Sequence, residues 1–369
     1  MHLRRRRQVT TAGLAICAVA LAACSSSSSS SSSSAPATGT SSGSASASSS
    51  SGNLSGTLNG SGSTFQLVYQ QTAIQSFKSV QPNMTVNYGG GGSGKGRTDL
   101  ASGVVNFAGS DSPIPAAETA NFKGKTVLYF PVFLGPISVS YNLSGVSNLK
   151  LDATVLSEIF SGKITSWNNS AIAALNSGVS LPSTAITLAV RSDSSGTTQN
   201  FSLYLEKAGG SAWTLGSSST IKWPATARAG IGNGGVAQII KTTPGAIGYV
   251  DYADAKASGL SSASIKNSSG SYIAPSPESA SAAGSGITIA PDLTFHAVDS
   301  PSAQAYPITY QSWVLVYEMQ PSSNDAAMLK AYIGYLIGAG QQTLSNLGYA
   351  PLPSSLQQMA QAQLSMITS

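Results

Sequence analysis

The chain has 369 residues, with 19 lysines and arginines against 14 acidic residues and only two cysteines. Four of the basic residues are Arg4–Arg7; without them 15 oppose 14, a charge of +1, so the high isoelectric point belongs mostly to the leader and no basic face for nucleic acid is implied. Cys17 and Cys24 both lie near the N-terminus, which excludes a disulfide scaffold and leaves the rest of the chain dependent on its core.

Met1–Arg7 is a basic start, and Ala12–Ala23 is an apolar stretch too short to span a bilayer comfortably. It ends in Leu21-Ala22-Ala23-Cys24, which resembles a bacterial lipoprotein signal: residues 1–23 are expected to be removed and Cys24 to carry lipid. The arginine run followed by Gln8-Val9 leaves twin-arginine export open. Residues 24–53 are almost pure serine with alanine, glycine and threonine, a composition that cannot bury enough apolar surface to offset its ordering entropy. They are expected to form a disordered tether with a spread of about 30 Å.

Structure is expected from Leu54. Gly60-Ser61-Gly62-Ser63-Thr64 leads into a helix carrying Phe65, Val68, Tyr69, Ala73, Phe77 and Val80 on one face, stopped by Pro82. Met84–Tyr88 alternates as a strand; Gly89–Gly96 is a glycine loop passing into a short helix to Gly103; Val104–Ala108 is a strand ending at Gly109-Ser110-Asp111. Val127–Leu143 reads as one or two strands broken by Pro131 and Pro136, a crossing between two lobes. Helices are expected at Leu151–Phe160 and Ala171–Leu175. Ile186–Val190 is a β-branched strand, and Phe201, Tyr204, Leu205 and Ala208 fall at helical spacing after a polar loop. Residues 221–235 read as a glycine-rich loop before a helical 236–241. Gly245–Val250 and Tyr306–Tyr317 are strands, and helices near 326–339 and 354–366 close the chain. No fixed-period repeat is present.

Strand, tight loop and helix start recur three times, the arrangement of an open α/β sheet with ligands at the strand carboxyl ends. The loop Arg191–Thr197 holds a guanidinium, Asp193, the hydroxyls of Ser194, Ser195 and Thr197, and Gly196. Helix-start amides attract anions, and an arginine fork fits a tetrahedral oxyanion in bidentate fashion. Gly89–Gly96 lacks the Ser or Thr after Lys95 that a P-loop needs, and reads instead as an anion cradle to which Ser93 adds a hydroxyl. Asp111 is informative beside an anion: a carboxylate can only accept, so it suits a ligand that carries a proton, as phosphate does and sulfate does not. His296 is the one histidine outside the leader, and no metal-ligand cluster or catalytic triad is complete. Neither metal nor cofactor is expected. The four tryptophans read as core.

The ordered set Gly60–Phe65, Asn87-Tyr88 with the glycine loop and Ser93, Asn106–Asp111, Ile159–Asn168, Arg191–Thr197, Ile221–Pro224 and Pro244–Val250 resembles the phosphate-binding proteins (PstS) of bacterial high-affinity phosphate ABC importers, from Leu54 to the last helix. The resemblance implies a type II periplasmic-binding-protein fold of class α/β, with two lobes joined by two hinge crossings. Residues 54–133 and 302–369 would form lobe I and 134–301 lobe II. It also implies that Thr64 and the Phe65 amide touch phosphate, that Ser93 binds from the second loop, and that Asp111 accepts the phosphate proton. Arg191, Ser195, Gly196 and Thr197 would clamp the ion, with Asp193 holding the Arg191 fork. Implied partners are inorganic phosphate, the ABC permease with its ATPase, and the membrane through lipid on Cys24; the binding protein itself would be monomeric and not an enzyme. Lys95, Ser194 and Gln66 depart from the family's usual residues, Lys95 placing a cation near the mouth. Alternatives are another oxyanion such as sulfate or molybdate, a phosphate-scavenging hydrolase on the same scaffold, or a surface adhesin.

Overall fold

A computed structural model describes residues 54–369. The signal (1–23), Cys24 and the serine tether (24–53) lie outside the described residues. Twelve strands are formed among the described residues: β1 (Gly56–Gly62), β2 (Met84–Gly89), β3 (Phe107–Ser110), β4 (Val127–Tyr141), β5 (Lys150–Leu151), β6 (Thr187–Arg191), β7 (Arg228–Gly230), β8 (Ala246–Asp251), β9 (Ser261–Ser262), β10 (Ser264–Lys266), β11 (Tyr272–Ile273) and β12 (Thr309–Tyr317). The main sheet runs β2-β1-β3-β12-β4-β8-β6-β7, with β9 also on β4; β11-β10-β5 make a small second sheet.

This order contains the same pattern twice. In the first half β1 pairs in parallel with β2 and β3, and β12 closes the set antiparallel to β3. In the second half β6 pairs in parallel with β7 and β8, and β4 closes the set antiparallel to β8. The repeat is one of topology without a repeat of sequence, so no fixed period betrays it. The β4 strand belongs to both halves: Val127–Pro136 pair with β12 and Ile137–Tyr141 with β8. It is therefore the first crossing, and the chain returns between β11 and β12.

The β4 strand is one uninterrupted element of 15 residues, although Pro131 and Pro136 suggested a break. The register with β12 shifts between Ser312 and Trp313, so Pro131 and Phe133 pair while Val132 bulges between them. A bulge is one of the few places a sheet tolerates a missing N–H donor. The bulged Val132 carbonyl accepts from Gln341 Nε2 at 2.7 Å.

Other elements follow local chemistry. Asp152, Asn169, Ser195, Asp251, Ser276 and Ser322 each accept from an amide of the first turn of the helix they precede. The first helix is Leu67–Phe77, shorter than its apolar pattern suggests, and Val80 is exposed rather than in the core. Likewise Val104 is exposed and the strand begins only at Phe107. The helix after the glycine-rich segment begins at Gly232, four residues before its first apolar residue, Val236. Trp167 and Trp313 are fully buried, as expected for core residues. No helix among the described residues is long and apolar enough to cross a membrane.

Candidate functional site

The six parallel strands of the main sheet deliver their carboxyl ends to one place. Ser63, Thr64 and Phe65 follow β1, the glycine loop and Ser93 follow β2, and Asp111 follows β3. From the other half, Arg191 ends β6, Ile231–Asn233 follow β7, and Asp251 ends β8. The helices Ser93–Ala101, Gly196–Ala208 and Gly232–Thr242 start here, so three positive helix ends converge.

The halves are in contact across this cleft. Gly94 N donates to the Ser194 carbonyl at 3.1 Å, and Asn233 donates from both its backbone N and its Nδ2 to Thr64 Oγ1 at 3.3 Å. The approach is close enough to need glycine. A methyl group on Gly196 would stand 2.5 Å from Ser93 Oγ and 2.7 Å from Asp111 Oδ2. Gly92, at φ 92°, would meet Asp193 Oδ2 at 2.5 Å.

Arg191 and Asp111, placed in one site by the sequence reading, do share it: both are buried, and the Arg191 charge acts on the Asp111 carboxyl. Asp193 grips Arg191 through two bonds, Nε to Oδ1 at 2.8 Å and a second between Nη2 and Oδ2. Burial alone would raise Asp193, but the hydrogen bonds and charge of Arg191, with the Gly232 amide at 3.1 Å, hold its carboxyl below the usual range. The remaining Arg191 donor, Nη1, points to Thr197 Oγ1 at 3.5 Å and Asn233 Oδ1 at 3.3 Å. Asp111 accepts from Ser63 Oγ (2.7 and 2.6 Å), Ser93 Oγ (3.1 Å) and Ser312 Oγ (2.5 Å). Burial pushes its carboxyl up, partly offset by those hydroxyls and by Arg191.

Ser195 caps the helix Gly196–Ala208 by accepting from Thr198 N at 3.1 Å, which leaves its O–H able to donate elsewhere. Thr197 Oγ1 also lies 3.3 Å from Tyr310 OH. The Phe65 amide donates to Ser63 Oγ at 3.1 Å, and its ring stacks on Tyr310 with centroids 4.1 Å apart. Full burial of such a ring stabilises the fold by roughly 1.5–3 kcal/mol, which anchors the turn holding Thr64. Lys95, expected to place a cation near the mouth, is paired with Asp99 four residues on, at 2.5 Å. Gln66 is buried behind Asp111.

Four residues here carried no assigned role in the sequence reading. Ser63 sits inside a quoted motif. Ser312 and Tyr310 lie on β12, far from any loop signal. Asn233 was hidden in a glycine-rich segment; it donates to Asp251 Oδ2 at 2.7 Å while bridging Thr64 and Arg191. Among the described residues, no group of three or more His, Cys, Asp or Glu is placed to hold a metal ion.

Residues 34–339 match the family model described as the PBP superfamily domain, which defines the class as a periplasmic binding protein. The chain is 36% identical over 309 residues to phosphate-binding protein PstS 3 of Mycobacterium leprae, covering 81% of this chain and 84% of that one. It is 34% identical to phosphate-binding protein PstS of Pasteurella multocida, covering 83% and 89%. Among solved structures, the periplasmic phosphate-binding protein PfluDING, bound with phosphate, has a TM-score of 0.69 at 20% identity, covering 84% and 94%, a likeness of fold. The chain belongs to the PstS family of phosphate-binding proteins, and its fold is the type II periplasmic-binding-protein fold.

Proposed function

We propose that this chain binds inorganic phosphate outside the cytoplasm and delivers it to an ABC permease, as a monomer held to the membrane by lipid on Cys24 after removal of residues 1–23. It acts as a binding protein and not as an enzyme. The observation that carries the reading is the meeting of a paired guanidinium, three helix starts and one acceptor-only carboxylate in a single buried cleft. A cation and helix dipoles alone would suit any small anion. Asp111 narrows the choice: against a fully deprotonated oxyanion it sets lone pair against lone pair, whereas phosphate brings a hydrogen to share. In this reading Thr64, the Phe65 amide, Ser93, Arg191, Ser195, Gly196 and Thr197 donate to the ion and Asp111 accepts from it, the Phe65 amide and the Ser93 hydroxyl exchanging Ser63 Oγ and Asp111 Oδ2 for the ion. Lobe I (54–133 and 302–369) and lobe II (134–301) close over it by hinge motion.

Calorimetric titration of the purified protein should show tight one-to-one binding of inorganic phosphate, with sulfate failing to compete. Comparable sulfate affinity would defeat the assignment and leave a general oxyanion binder.

Gly196→Ala tests the closure. Alanine suits the first turn of a helix better than glycine by up to about 1 kcal/mol, so the unliganded protein should melt no lower than wild type. In the structure, where the halves touch, the added methyl group would collide with Ser93 and Asp111 across the cleft, and hinge opening in the same reading relieves it. Phosphate affinity should therefore fall by at least about tenfold, which is roughly 1.4 kcal/mol. Unchanged affinity with unchanged melting would mean that this contact is not part of the bound state.

A further inference from the structure

The shortest of the Asp111 hydrogen bonds comes from an element that carries none of the motifs. Ser312, beside the bulge between β4 and β12, donates to Asp111 Oδ1 at 2.5 Å. A serine hydroxyl can donate or accept, so the direction of this bond needs a cause. Gln66 supplies it. Its Nε2 lies 2.7 Å from the Trp313 carbonyl oxygen and 2.8 Å from Ser312 Oγ. A carbonyl can only accept, so the carboxamide must present nitrogen to it, which settles the orientation of the group. The second N–H then falls on Ser312 Oγ and occupies a lone pair, and the serine proton is left to point at Asp111.

The orientation of Gln66 also fixes that of its neighbour. With nitrogen fixed on that side, Gln66 Oε1 accepts from Gln70 Nε2 at 2.9 Å, and Gln70 Oε1 therefore faces Tyr332, whose OH donates at 2.6 Å. All four residues are buried, and the bonds that link Tyr332, Gln70, Gln66 and Ser312 all run toward Asp111. Aligned bonds of this kind polarise one another in a low-dielectric interior.

We propose that Gln66 is a positioning residue for Asp111: by forcing Ser312 to donate, it keeps the carboxyl group an acceptor, the form that a protonated ligand requires. This rests on the phosphate reading above. Around Asp111 stand Ser63 and Ser93 from their loops, Arg191 from β6, Asp251 from β8 with its neighbour Asp254, and the phenols of Tyr88, Tyr310 and Tyr349. Arg97, behind the loop, is bonded to Glu118, Ser110 and Ser112. None of these is altered by a change at Gln66, and neither is the titration of phosphate itself.

Loss of the Ser312 donor leaves burial less opposed, so Asp111 takes up its proton at higher pH. Phosphate binding then begins to fail at higher pH on the acid side, while the protonated carboxyl gains the power to donate to sulfate. The test is phosphate affinity, followed by calorimetry from about pH 4 to 9, for wild type, Gln66→Met, Ser312→Ala and the double variant. The acid limb should move up by on the order of one pH unit in each single variant, a shift of the size one charge-assisted hydrogen bond produces. The double variant should match the singles rather than sum them. Sulfate binding should emerge at acid pH. If Gln66→Met does not fold, Gln66→Met with Gln70→Leu removes the orphaned donor as well and reports the same limb. A loss of affinity equal at every pH, or a shift in Ser312→Ala absent from the Gln66 variants, overturns the proposal. Absence of phosphate binding by wild type would instead remove the reading beneath it.

Discussion

Arg191→Ala is expected to weaken phosphate binding by about 2–5 kcal/mol, the usual cost of truncating one partner of a buried, hydrogen-bonded charge pair; this is roughly 30- to 5,000-fold in affinity. The guanidinium is held on one side by two bonds to Asp193, which leaves Nη1 facing Thr197 and Asn233 in the cleft. Removing it strands Asp193 as well. Because Arg191 holds the folded Asp193 carboxyl below its unfolded value, the pair stabilises the fold above the ordinary carboxylate range and ceases to do so as pH falls through the folded value. The alanine variant should therefore melt below wild type at neutral pH, with the gap closing in acid. Arg191→Lys keeps a charge but loses the fork, and should fall between the two in affinity. A calorimetric loss of only a few tenths of a kcal/mol in Arg191→Ala would place the guanidinium outside the binding site.

The parts of the site legible in the sequence were those that local chemistry writes down. A strand that stops at Arg191, with Ser195 where a cap belongs and apolar residues at helical spacing beyond, announces a helix start and its amides. Asp111 was legible for the same reason, at the end of a short β-strand. Illegible were residues whose position depends on pairing between distant segments. Ser312 reaches Asp111 only because β12 lies between β3 and β4 and because its register shifts at Val132. Asn233 sits in the first turn of a helix whose opening residues are mostly glycine and so carry no apolar period. The duplicated strand order was invisible too: the two halves share a path through space, which requires only that each strand be apolar enough to bury. Gly92 and Gly94 were read as parts of an anion cradle and Gly196 as part of the clamp; what the sequence did not show is that an added methyl group at any of the three would also collide with the other half of the chain.

Asp111→Asn should separate function from stability. The carboxamide keeps the shape of the side chain but replaces one acceptor oxygen with a donor nitrogen, so the phosphate hydrogen meets a hydrogen where it met a lone pair. Sites that depend on one such bond discriminate by up to about 10⁴–10⁵-fold; the variant should lose phosphate affinity, and the phosphate-to-sulfate preference should narrow by on the order of 10²-fold or more. Stability should move the other way. Burial raises the folded Asp111 carboxyl above its unfolded value, so between those two values the folded state holds the extra proton. Stability then falls as pH rises through that interval, and at neutral pH the ionised group is a net cost. Asparagine carries no charge to desolvate; Ser312, held as a donor by Gln66, meets the amide oxygen, and Ser63 and Ser93 can turn their hydroxyls to suit the rest of the group. The unliganded variant should consequently melt at or above wild type near pH 7, losing that advantage in acid, while binding phosphate far more weakly. Thermal melts with and without phosphate across this pH range measure both effects together. A variant that binds phosphate normally and still rejects sulfate would show that selection rests on some group other than this carboxylate.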